Sequence, residues 1–323
     1  MAKIAIIGST GQLGYDLLRY APESDTVVGL GHGDIEITDA KNVTAVLEKI
    51  RPDIVINAAA FNETEEGEKN PILPFSINAV GAYHVAKIAA DIGAAVVLLS
   101  TDYVFDGTKP SFSEEDIPNP LNVHGASKYA GEILTRIANP RNFIIRTGWL
   151  FGKNTSHKGY NFVTLMLEKA KSEKEIKVVN DQAGKPTYTV DLAIKIYELL
   201  HPVTPMKLRL SGRSGMEVEG HLSASLGESL PFRAGSNGVH KNPPHGIYHL
   251  TNEGQASWFD FAREIFELSH LSVKVTPIST LESGSKIRRP KFSILENRAI
   301  QKIGLAPLRS WQEALARYLE EIK

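Results

Sequence analysis

The sequence predicts an α/β fold: a doubly wound parallel sheet followed by a smaller C-terminal α/β region. Three observations carry that prediction. Short, continuously apolar runs alternate with amphipathic stretches over residues 1–150. The first apolar run leads straight into Gly8-Ser-Thr-Gly11-Gln-Leu-Gly14, a glycine-rich turn between a strand and a helix. The 323 residues, 42% of them hydrophobic, suffice for one large α/β domain and a smaller appended one.

Residues 3–8 read as a buried strand and 12–20 as a helix. Residues 26–30 form a second strand, and a helix over 40–50 is stopped by Pro52. A third strand spans 53–57, a helix 76–91, a fourth strand 94–100, a helix 123–138 and a fifth strand 142–146. These strands are apolar throughout, as in a parallel sheet with helices on both faces. Past residue 150 the pattern loosens. Residues 161–171 and 190–200 are helical, 246–250 resume a strand, Ser257 caps a helix over 258–268, and 311–322 form a terminal amphipathic helix. Residues 202–244 are rich in Gly, Ser and Pro and read as a long insert, either a functional loop or poorly ordered, with a lid, a partner surface and a tolerated surface insertion all open as its role. The expected division is a dinucleotide-binding domain over 1–150 and a second region over 151–323, interleaved with it.

Composition narrows the function classes. A net charge of -1 with 23% charged residues gives no electrostatic reason for a nucleic-acid or anionic-membrane partner. The chain has no cysteine, which excludes disulfides, thiol nucleophiles and thiolate zinc sites. Residues 4–7 have the length of a buried strand rather than of a signal peptide, and no run nears the ~18 apolar residues of a membrane span. A cytoplasmic protein is expected.

The glycine turn lets backbone N–H groups approach a pyrophosphate at a helix N-terminus, which makes the fold Rossmann-type and the ligand a dinucleotide. The second strand ends in Gly29-Leu30-Gly31-His32, with neither the carboxylate that favours NAD nor the arginine that favours NADP, so NAD(H) and NADP(H) both stay open. Asn57-Ala58-Ala59-Ala60 ends the third strand with small residues that leave room for a ribose and pyrophosphate, and suit close helix–sheet packing equally well. His124 and Lys128 lie four apart, on one helix face and one turn from each other.

Ser100-Thr-Asp-Tyr-Val-Phe-Asp-Gly107 closes the fourth strand. With the glycine turn and the His124/Lys128 helix, it resembles the extended short-chain dehydrogenase/reductase superfamily, and more narrowly the dTDP-4-dehydrorhamnose reductase family. Matches continue at Glu36-Ile-Thr-Asp39, Arg51-Pro-Asp53, Gly131-Glu132, Arg146-Thr-Gly-Trp-Leu-Phe-Gly152, Asp181-Gln-Ala-Gly-Lys-Pro-Thr187, Gly246-Ile-Tyr-His249 and Arg289-Pro-Lys-Phe-Ser293. The likeness covers nearly everything outside residues 202–244.

The resemblance implies NAD(P)H-dependent reduction of the C4 ketone of a dTDP-4-keto-6-deoxysugar, as in dTDP-L-rhamnose synthesis. It implies that Gly8, Gly11, Gln12, Leu13 and Gly14 line the cofactor pyrophosphate, that Glu36 and Ile37 sit at the adenine end, and that Ala58, Ala59 and Ala60 border the ribose. Thr101 would bond the reacting carbonyl, Asp102 would lie beside it, Lys128 would hold the nicotinamide ribose, Trp149 would pack near the sugar and Arg289 would face the diphosphate. Family members often form homodimers, sometimes around a magnesium ion. Asp16 falls near one such position, and no metal is assigned.

Three departures stand out. Position 124, tyrosine in the family, is histidine here. Imidazolium can donate a proton, but Lys128 and burial both oppose its charge, and its reach is shorter than a phenol's. A slowing of ~10²–10⁴ is expected, the usual worth of one acid/base group. The acidic run 62–68 reads as a solvated loop. The insert carries Lys207, Arg209 and Arg213, within reach of a diphosphate or simply solvated. Two other readings stay open: a non-catalytic nucleotide-binding regulatory subunit, and another nucleotide-sugar epimerase or dehydratase.

Overall fold

The opening apolar run forms β1 (Lys3–Ile7), and the glycine turn launches α1 (Gln12–Arg19). β2 (Thr26–Leu30), α2 (Ala40–Ile50) and β3 (Ile54–Asn57) follow. Two short helices, α3 (Thr64–Lys69) and α4 (Ile72–Phe75), precede α5 (Ala82–Asp91). Then come β4 (Ala95–Thr101), α6 (Val123–Ala138) and β5 (Asn142–Thr147). The computed structural model describes residues 1–154, 159–201 and 243–323, so nearly all of the expected insert at 202–244 lies outside the described residues.

The rest of the chain forms β6 (Leu150–Phe151), α7 (Phe162–Ala170), β7 (Glu175–Val179), β8 (Ala183–Gly184), β9 (Thr187–Tyr188) and α8 (Thr189–Leu200). It continues through β10 (Gly246–His249), β11 (Ala256–Ser257), α9 (Trp258–Leu268), β12 (Lys274–Ile278), α10 (Arg298–Lys302) and α11 (Trp311–Glu321).

The central sheet has six strands in the order β2-β1-β3-β4-β5-β10, all parallel. The order reverses at β1, with β2 on one side and β3 on the other. In such sheets the ligand crevice opens at the carboxyl ends of the strands flanking the reversal. Alternate residues of each strand face opposite layers. Ile4, Ile6, Ile56 and Val97 pack with Leu17 of α1 and with Leu192 and Ile196 of α8. Ala5, Ile7, Val55 and Val96 pack with Val43 and Leu47 of α2 and Val85 and Ala89 of α5. A second core joins α7, α9 and α11 through Met166, Phe261, Ile265, Leu315 and Tyr318. Because α8 and β10 contribute to the first core, residues on both sides of the insert complete the layer on that face of the central sheet.

Two expectations are corrected. The acidic run 62–68 is not a solvated loop: most of it forms α3, and Glu68 Oε1 accepts the N–H of Val123 at 2.7 Å. That puts a carboxylate at the positive end of α6. The helix expected over 76–91 begins with a π-helical turn, Ser76–Gly81. Its cause is Asn78, whose side chain bonds both backbone groups of Phe61 and the Ser127 hydroxyl. The wider turn also carries the Asn78 carbonyl against Gly131 of α6, where a Cβ would stand 2.1 Å from the oxygen. The two-residue strands β6, β8, β9 and β11 are too brief for a period-2 signal, and β7, β12 and the five-residue α10 likewise escape the sequence pattern.

A buried ion pair joins α6 to β5. Arg146 donates to both Glu132 oxygens, at 2.9 and 2.6 Å, and each residue is 1% exposed. Removing one partner of such a pair leaves the other buried and uncompensated, so Glu132→Ala is expected to cost about 3–5 kcal/mol in urea unfolding. A loss within about 1 kcal/mol, the scale of exposed pairs, would contradict the pairing.

Candidate active site

The glycine turn is built by close approach. Gly8 and Ser9 both donate to the Leu30 carbonyl, at 2.9 and 3.1 Å, which ties the end of β1 to the end of β2. Gly8 takes φ +80°, and a Cβ there would lie 2.7 Å from the Ala59 nitrogen. At Gly14 a Cβ would lie 2.1 Å from the Gly8 carbonyl. Gly11 caps α1 without any side-chain acceptor, so the first-turn N–H groups have no side-chain cap. That is the donor set a pyrophosphate needs.

Around this turn the expected residues divide. The Leu13 side chain is buried in the core, so only its backbone can face a ligand. Gln12 reaches across to the Leu150 carbonyl at 3.4 Å. Ala58 and Ala59 are half-buried and Ala60 is exposed. Glu36 accepts from the Thr38 N–H at 3.0 Å and hydroxyl at 2.8 Å, and these bonds hold its carboxyl below the usual range. Ile37 is buried against Gly81, and His84 bonds its carbonyl. The end of β2 does hold a carboxylate after all: Asp34 folds back to accept the Gly31 N–H at 2.8 Å. Three intervening residues hid it from a reading of the strand end alone.

At the end of β4 the chemistry-bearing side chains gather. Lys128, 4% exposed, donates its ammonium to the Leu99 carbonyl. Burial brings its pKa down to about 8, against the pull of Glu132 one turn on. Thr101 Oγ1 donates to Asp102 Oδ1 at 3.0 Å and accepts the Tyr103 N–H at 3.2 Å. Burial raises the Asp102 pKa to about 6, although Ser293 and Thr101 bond its carboxyl. His124, half-buried in the first turn of α6, meets the Tyr103 ring edge-on at 6.0 Å. Burial raises the Tyr103 phenol to about 12 despite Arg289, which hydrogen-bonds it.

Trp149 sits at φ +53°, a left-handed conformation costly for a bulky residue. Its indole stacks on Trp258 at 3.5 Å and 2°, donates to Ser293 Oγ at 3.2 Å and presses on Gly184, where a Cβ would be 2.3 Å away. The structure thus brings Thr101, Asp102, His124, Lys128, Trp149 and Arg289 to one region. Arg289 turns to Tyr103 and to Ser285 Oγ, at 3.0 Å. Asp16 is fully buried against Thr189 and not presented for sharing with a second chain, and its carboxyl is raised to about 6, first by burial. Among the described residues no group of three or more His, Asp or Glu is arranged to hold a metal.

Sequence reasoning gave no role to Glu132, Tyr103, Trp258 or Ser293. Glu132 had a signal, its four-residue spacing from Lys128. Trp258 and Ser293 meet Trp149 only through tertiary packing.

An open glycine turn at the reversal of a parallel sheet, with a buried lysine and a Thr–Asp pair at the next strand end, defines a Rossmann-type dinucleotide-binding scaffold. The family model described as RmlD substrate binding domain matches residues 2–212 and 232–323, and the chain belongs to that family. It is 36% identical to the spore coat polysaccharide biosynthesis protein SpsK of Bacillus subtilis (strain 168), over 99% of this chain and 98% of the relative. It is 31% identical to a dTDP-4-dehydrorhamnose reductase of Sinorhizobium fredii, over 98% and 96%. The crystal structure of dTDP-4-dehydrorhamnose reductase from Bacillus anthracis str. Ames in complex with NADP superposes with a TM-score of 0.83 at 36% identity, covering 99% of both chains. A UDP-glucose 4-epimerase from Thermus thermophilus, 15% identical with a TM-score of 0.72, shows the shared fold alone.

Gly14→Ala is expected to displace the turn and weaken NADPH binding at least about tenfold in a fluorescence titration, because the backbone can no longer approach the pyrophosphate. Wild-type affinity in this variant would contradict the role assigned to the turn.

Proposed function

We propose that the protein reduces the C4 ketone of a dTDP-4-keto-6-deoxysugar with NADPH or NADH, the reaction that yields dTDP-L-rhamnose. The observation that carries this reading is the buried Lys128 ammonium, one helical turn from position 124 and anchored on β4 two residues before Thr101. Relatives named dTDP-4-dehydrorhamnose reductase and the NADP complex of one of them support it.

A bound nicotinamide supplies hydride. The chain's residues do the rest. The N–H groups of Gln12 and Leu13 hold the pyrophosphate, Gly11 lines it while its own N–H closes the turn onto the Gly8 carbonyl, and Ala58–Ala60 leave space for the ribose. Lys128 donates to the nicotinamide ribose. Thr101 orients the ketone, and the Trp149 face flanks the sugar. Arg289 acts on the site through Tyr103. As hydride arrives, negative charge grows on the ketone oxygen and needs hydrogen-bond donors and a proton. The imidazole of His124 ends short of where the phenol the family carries at this position places its hydroxyl, so the step proceeds without that donor and is slowed.

NADPH oxidation followed by absorbance with a dTDP-4-keto-6-deoxysugar tests this reading. His124→Tyr is expected to raise kcat by ~10²–10⁴ and to leave the NADPH Kd unchanged. Cofactor binding without turnover, restored by His124→Tyr, would make the wild type a nucleotide-binding relative instead. Cofactor affinity should hold up to about pH 8 and weaken above it, because Lys128 loses its proton there. A pH-independent Kd through pH 9.5, or one unchanged in Lys128→Met, would contradict that role.

A further inference from the structure

With no phenol at position 124, the proton for the reduced oxygen must come from another group. Asp102 is 3% exposed and one residue from Thr101. The Thr101 hydroxyl oxygen has two protein partners: it accepts the Tyr103 N–H at 3.2 Å and lies 3.0 Å from Asp102 Oδ1, a contact in which the neutral acid is the donor. Gly148 backs the carboxyl so closely that a Cβ would stand 2.5 Å from Asp102 Cγ.

Among the described residues no cation forms an ion pair with Asp102, and the nearby charges are engaged elsewhere. Lys128 of α6 bonds the Leu99 carbonyl, and His124 of α6 lies against Tyr103. Arg146 of β5 pairs with Glu132. In the segment that carries Ser293, Arg289 bonds Tyr103 and Ser285, and Lys291 lies over the Phe292 ring. A carboxylate buried without a cation is costly, and the neutral acid is favoured.

We propose that Asp102, as the neutral acid, supplies through the Thr101 hydroxyl the proton taken up by the reduced ketone oxygen. This rests on the reductase reading above. Hydride adds to C4 of the sugar, forming a C–H bond as the C=O π pair moves onto oxygen. With Asp102 protonated at Oδ1, the 3.0 Å contact carries the carboxylic hydrogen toward Thr101 Oγ1. Thr101 then gives its own hydroxyl hydrogen to the ketone oxygen and takes the Asp102 proton across that contact. Asp102 is left as carboxylate and regains its proton from water after product leaves. The ketone is reduced, the dinucleotide is oxidised, and charge balances. A carboxylic acid is intrinsically stronger than a phenol, so it can serve where the phenol is missing. Its limit is population: burial places its pKa near 6, so the competent fraction falls as pH rises through neutrality.

The test is the pH dependence of kcat for NADPH oxidation in wild type, Asp102→Asn and His124→Gln. Wild type and His124→Gln should both lose activity about tenfold per pH unit above about pH 6. Asp102→Asn should bind NADPH normally, lose about 100-fold in kcat at pH 6 and show no such limb. Thr101→Val should behave like Asp102→Asn, and Thr101→Ser should keep the limb, which covers the case of Asp102→Asn failing to fold. In protein labelled with ¹³C at the aspartate carboxyls, one resonance absent from Asp102→Asn should titrate near pH 6. A limb that persists in Asp102→Asn and vanishes in His124→Gln would overturn the relay and make the imidazole the donor. An Asp102 resonance titrating in the ordinary carboxylate range would overturn it too. A wild type inert toward NADPH at every pH removes the reductase reading and the relay together, whereas the other two results remove the relay alone.

Discussion

Helix α6 is fastened to the sheet by two charged side chains one turn apart. Lys128 donates a hydrogen bond to the Leu99 carbonyl, and Glu132 accepts from the next residue, Ser100, while Arg146 grips it from β5. Thr101 follows at once. Three consecutive residues of β4 therefore hand α6 its position and the reacting end its hydroxyl. Burying these charges is unfavourable unless each finds its partner, and that requirement fixes the register of helix on strand. Phe105 extends the arrangement, with the Arg146 guanidinium 5.1 Å from its ring centre and His249 edge-on beyond. Burial and Arg146 together hold His249 well below its ordinary pKa, as a neutral ring.

The other half of the crevice is made by absence of bulk. Gly8, Gly14, Ala58 and Ala59 bring three backbone segments so near that no larger residue fits the turn. One wall is charged and pinned; the other is bare backbone with open donors. Trp149 closes the far side in a strained conformation, held there by Trp258, Gly184 and Ser293. Strain at that point, next to Asp102, is what a preorganised binding surface costs.

Much of this was legible in the sequence. Apolar runs and glycine spacing are local signals, so β1 to β5, the helices α1, α2, α5 and α6 and the glycine turn could be read directly, whereas α3 and α4 could not. Thr101 and Asp102 stood out only through the family resemblance, and Lys128 also through its four-residue spacing from His124. The rest needed the fold. The π-turn at Ser76–Gly81 arises from Asn78 reaching Phe61 and Ser127, contacts no periodicity encodes. The carboxylate at the end of β2 comes from Asp34 folding back, and Glu68 meets α6 across 55 residues of chain. Trp258 and Ser293 join Trp149 over more than 100 residues, beyond any sequence window.

The central claim is that the crevice between β1 and β3 receives a reduced pyridine dinucleotide whose reactive ring lies between Lys128 and Thr101. A crystal structure of the protein with NADPH tests it most directly. The account predicts pyrophosphate against Gly11 and on the N–H groups of Gln12 and Leu13, ribose hydroxyls on Lys128, and nicotinamide C4 facing the Thr101 hydroxyl. A dinucleotide bound elsewhere, or lying with its nicotinamide turned away from Thr101, would contradict it.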